Sequence, residues 1–211
     1  MKQTFMPPFD TSAALAAHQL QGLQWTVAHA YQNAPFYRQR LDAAGIKPEA
    51  IQSLADIEKL PFTQADDLRA EYPFPLLSVP LSQVVRIHAS SGTTGKKKVL
   101  CYSQKDIDDW THIFARCYEM AGLTTEDRVQ IVVGYGIWTA GAGFQLGCEK
   151  FGAMAVPVGP GNVDMQCQFL VDMQTTVYCY GSPEMALLSA AYTDITKWLG
   201  VPEYETAGCS D

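Results

Sequence analysis

Seven consecutive residues, Ser90-Ser91-Gly92-Thr93-Thr94-Gly95-Lys96, concentrate the groups that hold a polyphosphate. The hydroxyls and backbone amides are donors, and the Lys96 ammonium adds a compact positive charge suited to phosphate oxygens. Gly92 and Gly95 let the backbone come close to a bulky anion. A flexible polar turn draws on the same residue types, but the order here is more particular. It is not that of a Walker A loop. Counting back from Gly95-Lys96, Ser90 stands where the first glycine is required, and Lys97 stands at the Ser/Thr position. The expectation is a triphosphate-binding loop at the surface, connecting two strands.

Other residues compete for a role. Tyr135-Gly136-Ile137-Trp138 follow a predicted strand end, where α/β proteins place ligand sites; core or subunit-interface aromatics are the alternative. His88, two residues before the loop, could touch substrate or nucleotide, or serve as a satisfied structural histidine. Lys97 and Lys98 read as solvated surface lysines. Asp66-Asp67 and Asp108-Asp109 read as helix-surface charge, and Trp110, Phe114 and Met120 as core.

Helices and strands must position these residues. Ser12 is expected to cap a first helix with Leu15, Leu20, Leu23, Val27 and Tyr31 on one face. Pro35 ends it, and a second helix runs from Phe36 to Ala44, closed by Gly45. Ser53-Leu54-Ala55-Asp56 and Thr63-Gln64-Ala65-Asp66 resemble capping boxes, and Tyr72-Pro73-Phe74-Pro75 breaks the pattern. Strands are expected at Val84–Ile87, Val99–Tyr102, Arg128–Val133, Met154–Val158 and Thr176–Tyr180. Between them fall a helix capped by Ser103, with Ile107, Trp110, Ile113, Phe114, Cys117 and Ala121 on one face and Gly122 at its end, and helices near Gly143–Phe151 and Asp164–Met173. Ser182-Pro183-Glu184 reads as another helix start, and 192–211 shows no clear period. The fold class is therefore α/β: a helical N-terminal segment, 1–80, then alternating strands and helices around a largely parallel sheet, 81–211.

Composition sets the limits. The 211 residues are 47% hydrophobic and 18% charged, with a formal net charge of −7. That balance argues against nucleic acid or an anionic membrane as partner. No apolar stretch approaches the ~20 residues of a membrane span, and the first residues lack the core of a signal peptide. Six scattered cysteines without a CxxC pair read as free thiols of a reducing cytoplasm. The four histidines are not spaced with them as metal ligands would be.

The order Ser-Ser-Gly-Thr-Thr-Gly-Lys resembles the phosphate-binding loop of acyl-adenylate-forming enzymes. Asn33-Ala34-Pro35-Phe36-Tyr37-Arg38, Leu60-Pro61-Phe62-Thr63, Arg86-Ile87-His88-Ala89 ahead of the loop, and Gly134-Tyr135-Gly136-Ile137-Trp138-Thr139-Ala140-Gly141 are similar to the phenylacetate–CoA ligase branch. The likeness covers roughly residues 20–178. Two departures stand out: Trp138 where that branch commonly has Phe, and Lys97 where it usually has Pro. The resemblance implies a two-step, cytoplasmic ligase: phenylacetate, ATP and CoA give phenylacetyl-CoA, AMP and diphosphate, with Mg²⁺ accompanying ATP. It implies that Ser90, Ser91, Gly92, Thr93, Thr94, Gly95 and Lys96 hold the nucleotide, with Lys96, Thr93 and Thr94 catalytic. Tyr135, Gly136, Ile137 and Trp138 would line the acid pocket. The family's aromatic-Gly-x-x-Glu motif, ribose-binding Asp and C-terminal lysine are not found here. The expectation is thus a partial AMP-binding domain without the small C-terminal domain, inactive alone. Its exposed apolar surface and unpaired sheet edge would favour homo-oligomers. A non-catalytic nucleotide-binding or interaction module, or a decayed remnant, is the alternative.

Overall fold

The computed structural model describes residues 4–70, 72–74, 76–90 and 97–180. Its first helix, α1, spans Ser12–Asn33, but its cap is Thr11 rather than the expected Ser12. The Thr11 hydroxyl accepts the Ala14 amide at 3.1 Å, which draws Ser12 into the first turn. Pro35 ends α1 and opens α2, Pro35–Ala43, at the position where its missing amide is not needed. Gly45 then turns the chain with φ +67°. Leu20, Leu23, Val27 and Tyr31 of α1 pack on Leu41 and Ile51, whereas Leu15 of the same predicted stripe is exposed.

Two short elements carry the box chemistry read from the sequence. Asp56 accepts the Ser53 amide at 2.7 Å and caps a 3-10 turn, Leu54–Lys59. The box predicted at Thr63–Asp66 sits one residue later. Asp67 accepts the Gln64 amide at 2.6 Å, ahead of α3, Ala65–Ala70.

Strands β1, Val84–Ala89, and β2, Val99–Ser103, pair antiparallel in a sheet of their own, with Ala89 opposite Val99. The short connection between them cannot make the crossover that a parallel pair requires. The parallel sheet lies downstream, in the order β4-β3-β5, from β3, Arg128–Ile131, β4, Met154–Val156, and β5, Val177–Cys179. The fold is thus α/β as expected, with the loop-bearing strands outside the parallel sheet. Along β1 the alternation is inverted: Arg86 and His88 face inward, and Val85 and Ile87 lie exposed, as does Leu100 of β2. These apolar side chains are exposed surface of the kind that oligomerisation would cover.

Helix α4, Gln104–Met120, starts on the expected capping box. The Ser103 hydroxyl accepts the Asp106 amide at 3.3 Å, and the Asp106 carboxylate accepts the Ser103 amide at 2.7 Å. Ser103→Ala is expected to cost ~0.5–2 kcal/mol, read as a lower urea midpoint with unchanged slope. The buried face of α4 is rotated from the predicted one. Ile107, Ala115 and Tyr118 are buried and Trp110 and Phe114 half-buried, while Ile113, Cys117 and Met120 face outward.

Its partner α5, Thr139–Phe151, sets that rotation. A side chain at Gly143 would stand 2.5 Å from the Phe114 ring, and one at Gly147 would stand 2.3 Å from the Phe114 Cβ. Gly143 and Gly147 lie inside the helix as expected and let two helices touch, and α5 begins four residues before the expected Gly143, taking in Gly141 as well. Helix α6, Val163–Asp172, precedes β5. Val129, Ile131, Ala115, Tyr118, Cys148 and Phe151 form the core beneath. Phe5 joins this core from the chain start, where Glu119 accepts the Phe5 amide at 2.6 Å and Arg116 donates to its carbonyl at 3.0 Å. The expected helix start at Ser182–Glu184, the segment 192–211 and Cys209 lie outside the described residues.

Candidate functional site

The β1–β2 hairpin presents the Ser/Thr/Gly segment from a pinned base. The Ser90 amide donates to the Lys98 carbonyl at 3.0 Å, and the Ser90 hydroxyl accepts the Lys98 amide at 3.1 Å. Both contacts close the connection just before Ser91 and just after Lys97. Lys97 is exposed and Lys98 half-buried. Ser91, Gly92, Thr93, Thr94, Gly95 and Lys96 lie outside the described residues, so their expected role rests on residue chemistry.

The second predicted segment lies against this base. The Ala89 amide donates to the Ile137 carbonyl at 3.0 Å, and His88 Nδ1 stands 3.3 Å from the same oxygen. A carbonyl only accepts, so the imidazole proton in this contact sits on Nδ1. His88 is 2% exposed, edge-on to Tyr102 at 5.1 Å and tilted against Trp110 at 5.6 Å. Its position in the sequence flagged it, but only the fold links it to Ile137.

The four predicted acid-pocket residues divide. Gly136, Ile137 and Trp138 are exposed, whereas the Tyr135 ring packs against the core. Gly136, with φ +80°, supplies the turn between them. Burial, then the nearby Glu149 charge, pushes the Tyr135 phenol up to about 12. It is therefore a neutral donor at physiological pH, and its buried hydroxyl has no hydrogen-bond partner among the described residues. The ring is held by Gly141, where a side chain would come within 2.9 Å of it.

A buried amide network, absent from the sequence reading, supports the neighbouring loop at the end of β4. Gln130 Nε2 donates to Gln166 Oε1 at 2.8 Å, Thr175 Oγ1 donates to Gln130 Oε1 at 3.0 Å, and Gln166 Nε2 donates to the Gly159 carbonyl at 2.6 Å. Both glutamines are fully buried. The Gly159 amide donates in turn to the Ile131 carbonyl at 3.0 Å. The carboxyl ends of β3 and β4 and the hairpin base thus come together, as in open α/β sheets that hold ligands at strand ends. The only sequence signal was an uncharged amide in the middle of a predicted strand. An open cavity of about 390 Å³ beside β1, lined by Arg86, Gln104, Ile107, Asp108, Thr111 and Lys150, contains none of the predicted site residues. Among the described residues, no helix is long and apolar enough to cross a membrane, and no His, Cys, Asp and Glu side chains gather as metal ligands.

No family model matches the chain. Individual proteins do. It is 40% identical over 214 residues to the phenylacetate-coenzyme A ligase of Escherichia coli (strain K12), covering 98% of this chain and 46% of that protein. It is 40% identical over 197 residues to the phenylacetate-coenzyme A ligase of Aromatoleum evansii, covering 92% of this chain and 43% of that one. Among solved structures it matches 2-hydroxyisobutyryl-CoA ligase in complex with 2-HIB-AMP and CoA. The TM-score is 0.79 at 26% identity, over 93% of this chain and 44% of the other. The chain spans less than half the length of these relatives. With the hairpin, the parallel sheet and the identities agreeing, the chain corresponds to the N-terminal portion of an adenylate-forming ligase, similar over nearly its whole length to phenylacetate–CoA ligases.

Proposed function

We propose that this segment is the triphosphate-holding and acid-facing part of an ATP-dependent aryl-acid–CoA ligase. The contact between the Ala89 amide and the Ile137 carbonyl supports the reading, because it joins the end of β1, where the donor-rich sequence begins, to the aromatic segment that follows β3. In this reading the acid's carboxylate oxygen attacks the α-phosphorus of ATP, and diphosphate leaves with the electron pair of the broken P–O bond. The thiol of CoA then attacks the acyl carbon, and AMP departs as the thioester forms. Charge gathers on phosphoryl oxygens in the first step, so fixed donors and the Lys96 ammonium supply most of the stabilisation there. Magnesium enters as the ion that ATP carries. The aromatic faces of Tyr135 and Trp138 would receive an aryl ring, worth ~0.5–1.5 kcal/mol per aromatic pair beyond area burial. The cytoplasmic, homo-oligomeric state read from the sequence belongs to this proposal, and the exposed Val85, Ile87 and Leu100 supply apolar surface for it.

The test is acid-dependent pyrophosphate exchange by a full-length ligase carrying this segment, over aryl and short aliphatic acids. Tyr135→Ala is expected to change the ranking of the acids while the ATP dependence is kept. Equal loss for all acids would remove Tyr135 from the acid pocket, and no exchange with any acid would sink the ligase reading.

A further inference from the structure

We propose that His88 is a positioning residue, whose Nδ1–H···O=C bond to Ile137 fixes the acid-facing segment in register with the base of the phosphate loop. The proposal rests on the ligase reading for what the two segments bind, but the tether itself is a property of this chain. Two donors converge on one carbonyl: the Ala89 amide at 3.0 Å and the His88 ring at 3.3 Å. They come from the last two residues of β1, just ahead of the loop. The acceptor lies 49 positions away, between Tyr135 and Trp138. The ring has little freedom of its own, being 2% exposed and enclosed by Tyr102 and Trp110. Side-chain packing therefore aims the donor, and the donor places the strand-end segment.

A structural histidine chosen only for volume would not need this bond. The nitrogen opposite, Nε2, is buried without a hydrogen-bond partner among the described residues. A buried polar atom left unpaired is unfavourable, so an apolar ring of similar shape would pack better. What phenylalanine would lack is the bond to Ile137. The geometry thus separates two properties that usually fall together: stability follows the ring, and alignment follows the Nδ1 donor.

The consequence for adenylation concerns relative placement rather than the hold on either substrate. The loop would still bind ATP and the 135–138 segment would still bind the acid. Without the tether, carboxylate and α-phosphorus would lose their mutual aim, and a misplacement of ~1 Å can cost about a hundredfold in rate.

The experiment uses a full-length ligase carrying this segment, completed for instance with the remaining length of the Escherichia coli relative. It compares wild type, His88→Phe and His88→Asn; the asparagine side-chain amide keeps a donor near the Nδ1 position and discards the ring. His88→Phe is expected to lower kcat for pyrophosphate exchange roughly tenfold to a hundredfold, with KM for acid and ATP each within about threefold of wild type. His88→Asn should recover much of that kcat while melting below His88→Phe, so that activity and stability rank the two variants in opposite orders. Amide deuteration should show Ala89 protected in wild type and His88→Asn and unprotected in His88→Phe. The proposal is overturned if His88→Asn is no more active than His88→Phe, if activity simply tracks melting temperature, or if Ala89 protection is the same in all three. A wild-type enzyme with no acid-dependent exchange sinks the ligase reading instead, and the order of Ala89 protection then decides the tether by itself.

Discussion

Lys96→Ala is expected to weaken ATP use about ten- to a hundredfold, and to do so for every acid tested. A charge-assisted contact to phosphate is worth ~1.5–3 kcal/mol, which is one to two decades in binding. The surrounding charge gives little relief, because the chain carries a net −7. Lys97 is exposed, and the Lys98 backbone is tied into the base of the hairpin through both its amide and its carbonyl. Lys97→Ala is therefore the control, with an expected change of about twofold or less, as for a solvated surface lysine. The measurement is pyrophosphate exchange with ATP varied at saturating acid, repeated across aryl and aliphatic acids. A Lys96→Ala enzyme with intact ATP affinity and a shifted acid preference would show that the loop serves the acid, and the assignment of roles would be wrong.

Local chemistry made much of this fold legible in the sequence. Pro35, the Ser53–Asp56 and Ser103–Asp106 boxes and Gly122 each work over a few residues, so their signals survive without knowledge of the partner. The Ser90–Lys96 stretch stands out in the sequence for the same reason, since its donors and charge are contiguous, and its role is a proposal because 91–96 lie outside the described residues. What failed depended on tertiary contact. The side of α4 that is buried was misread, because Ile113 and Met120 are as apolar as the residues that pack. The Gln130–Gln166–Thr175 network and the docking of Phe5 join residues far apart in the chain, with no local pattern to announce them. The bond from His88 to Ile137 belongs to the same class.

The glycines of α5 give the largest expected effect on stability, and they do so unequally. In an exposed helix Gly→Ala is favourable by about 1 kcal/mol through helix propensity. In α1, an added methyl at Gly22 would meet nothing within 4 Å, so Gly22→Ala should show that gain. At Gly143 the methyl would meet the far ends of the Phe114 and Trp110 rings at 2.5–2.8 Å, and rings can swing aside. At Gly147 it would meet the Phe114 Cβ at 2.3 Å, the Phe114 carbonyl carbon at 3.1 Å and the Ala115 nitrogen at 3.3 Å. Those atoms move only if the α4 backbone moves. The two helices would have to part, loosening the contacts of Phe114 with Phe144 and of Tyr118 with the Phe144 carbonyl. Gly147→Ala should therefore cost ~2–4 kcal/mol after the propensity gain, at or beyond the upper end for overpacking. Gly143→Ala should fall between the two. The strain also reaches the site, because α5 begins directly after Trp138 and its first turn is tied back by the Gly141 amide to the Gly134 carbonyl. Urea unfolding of the three variants should give midpoints in the order Gly22→Ala, wild type, Gly143→Ala, Gly147→Ala. A Gly147→Ala protein as stable as wild type would mean that α4 and α5 are not held at this distance.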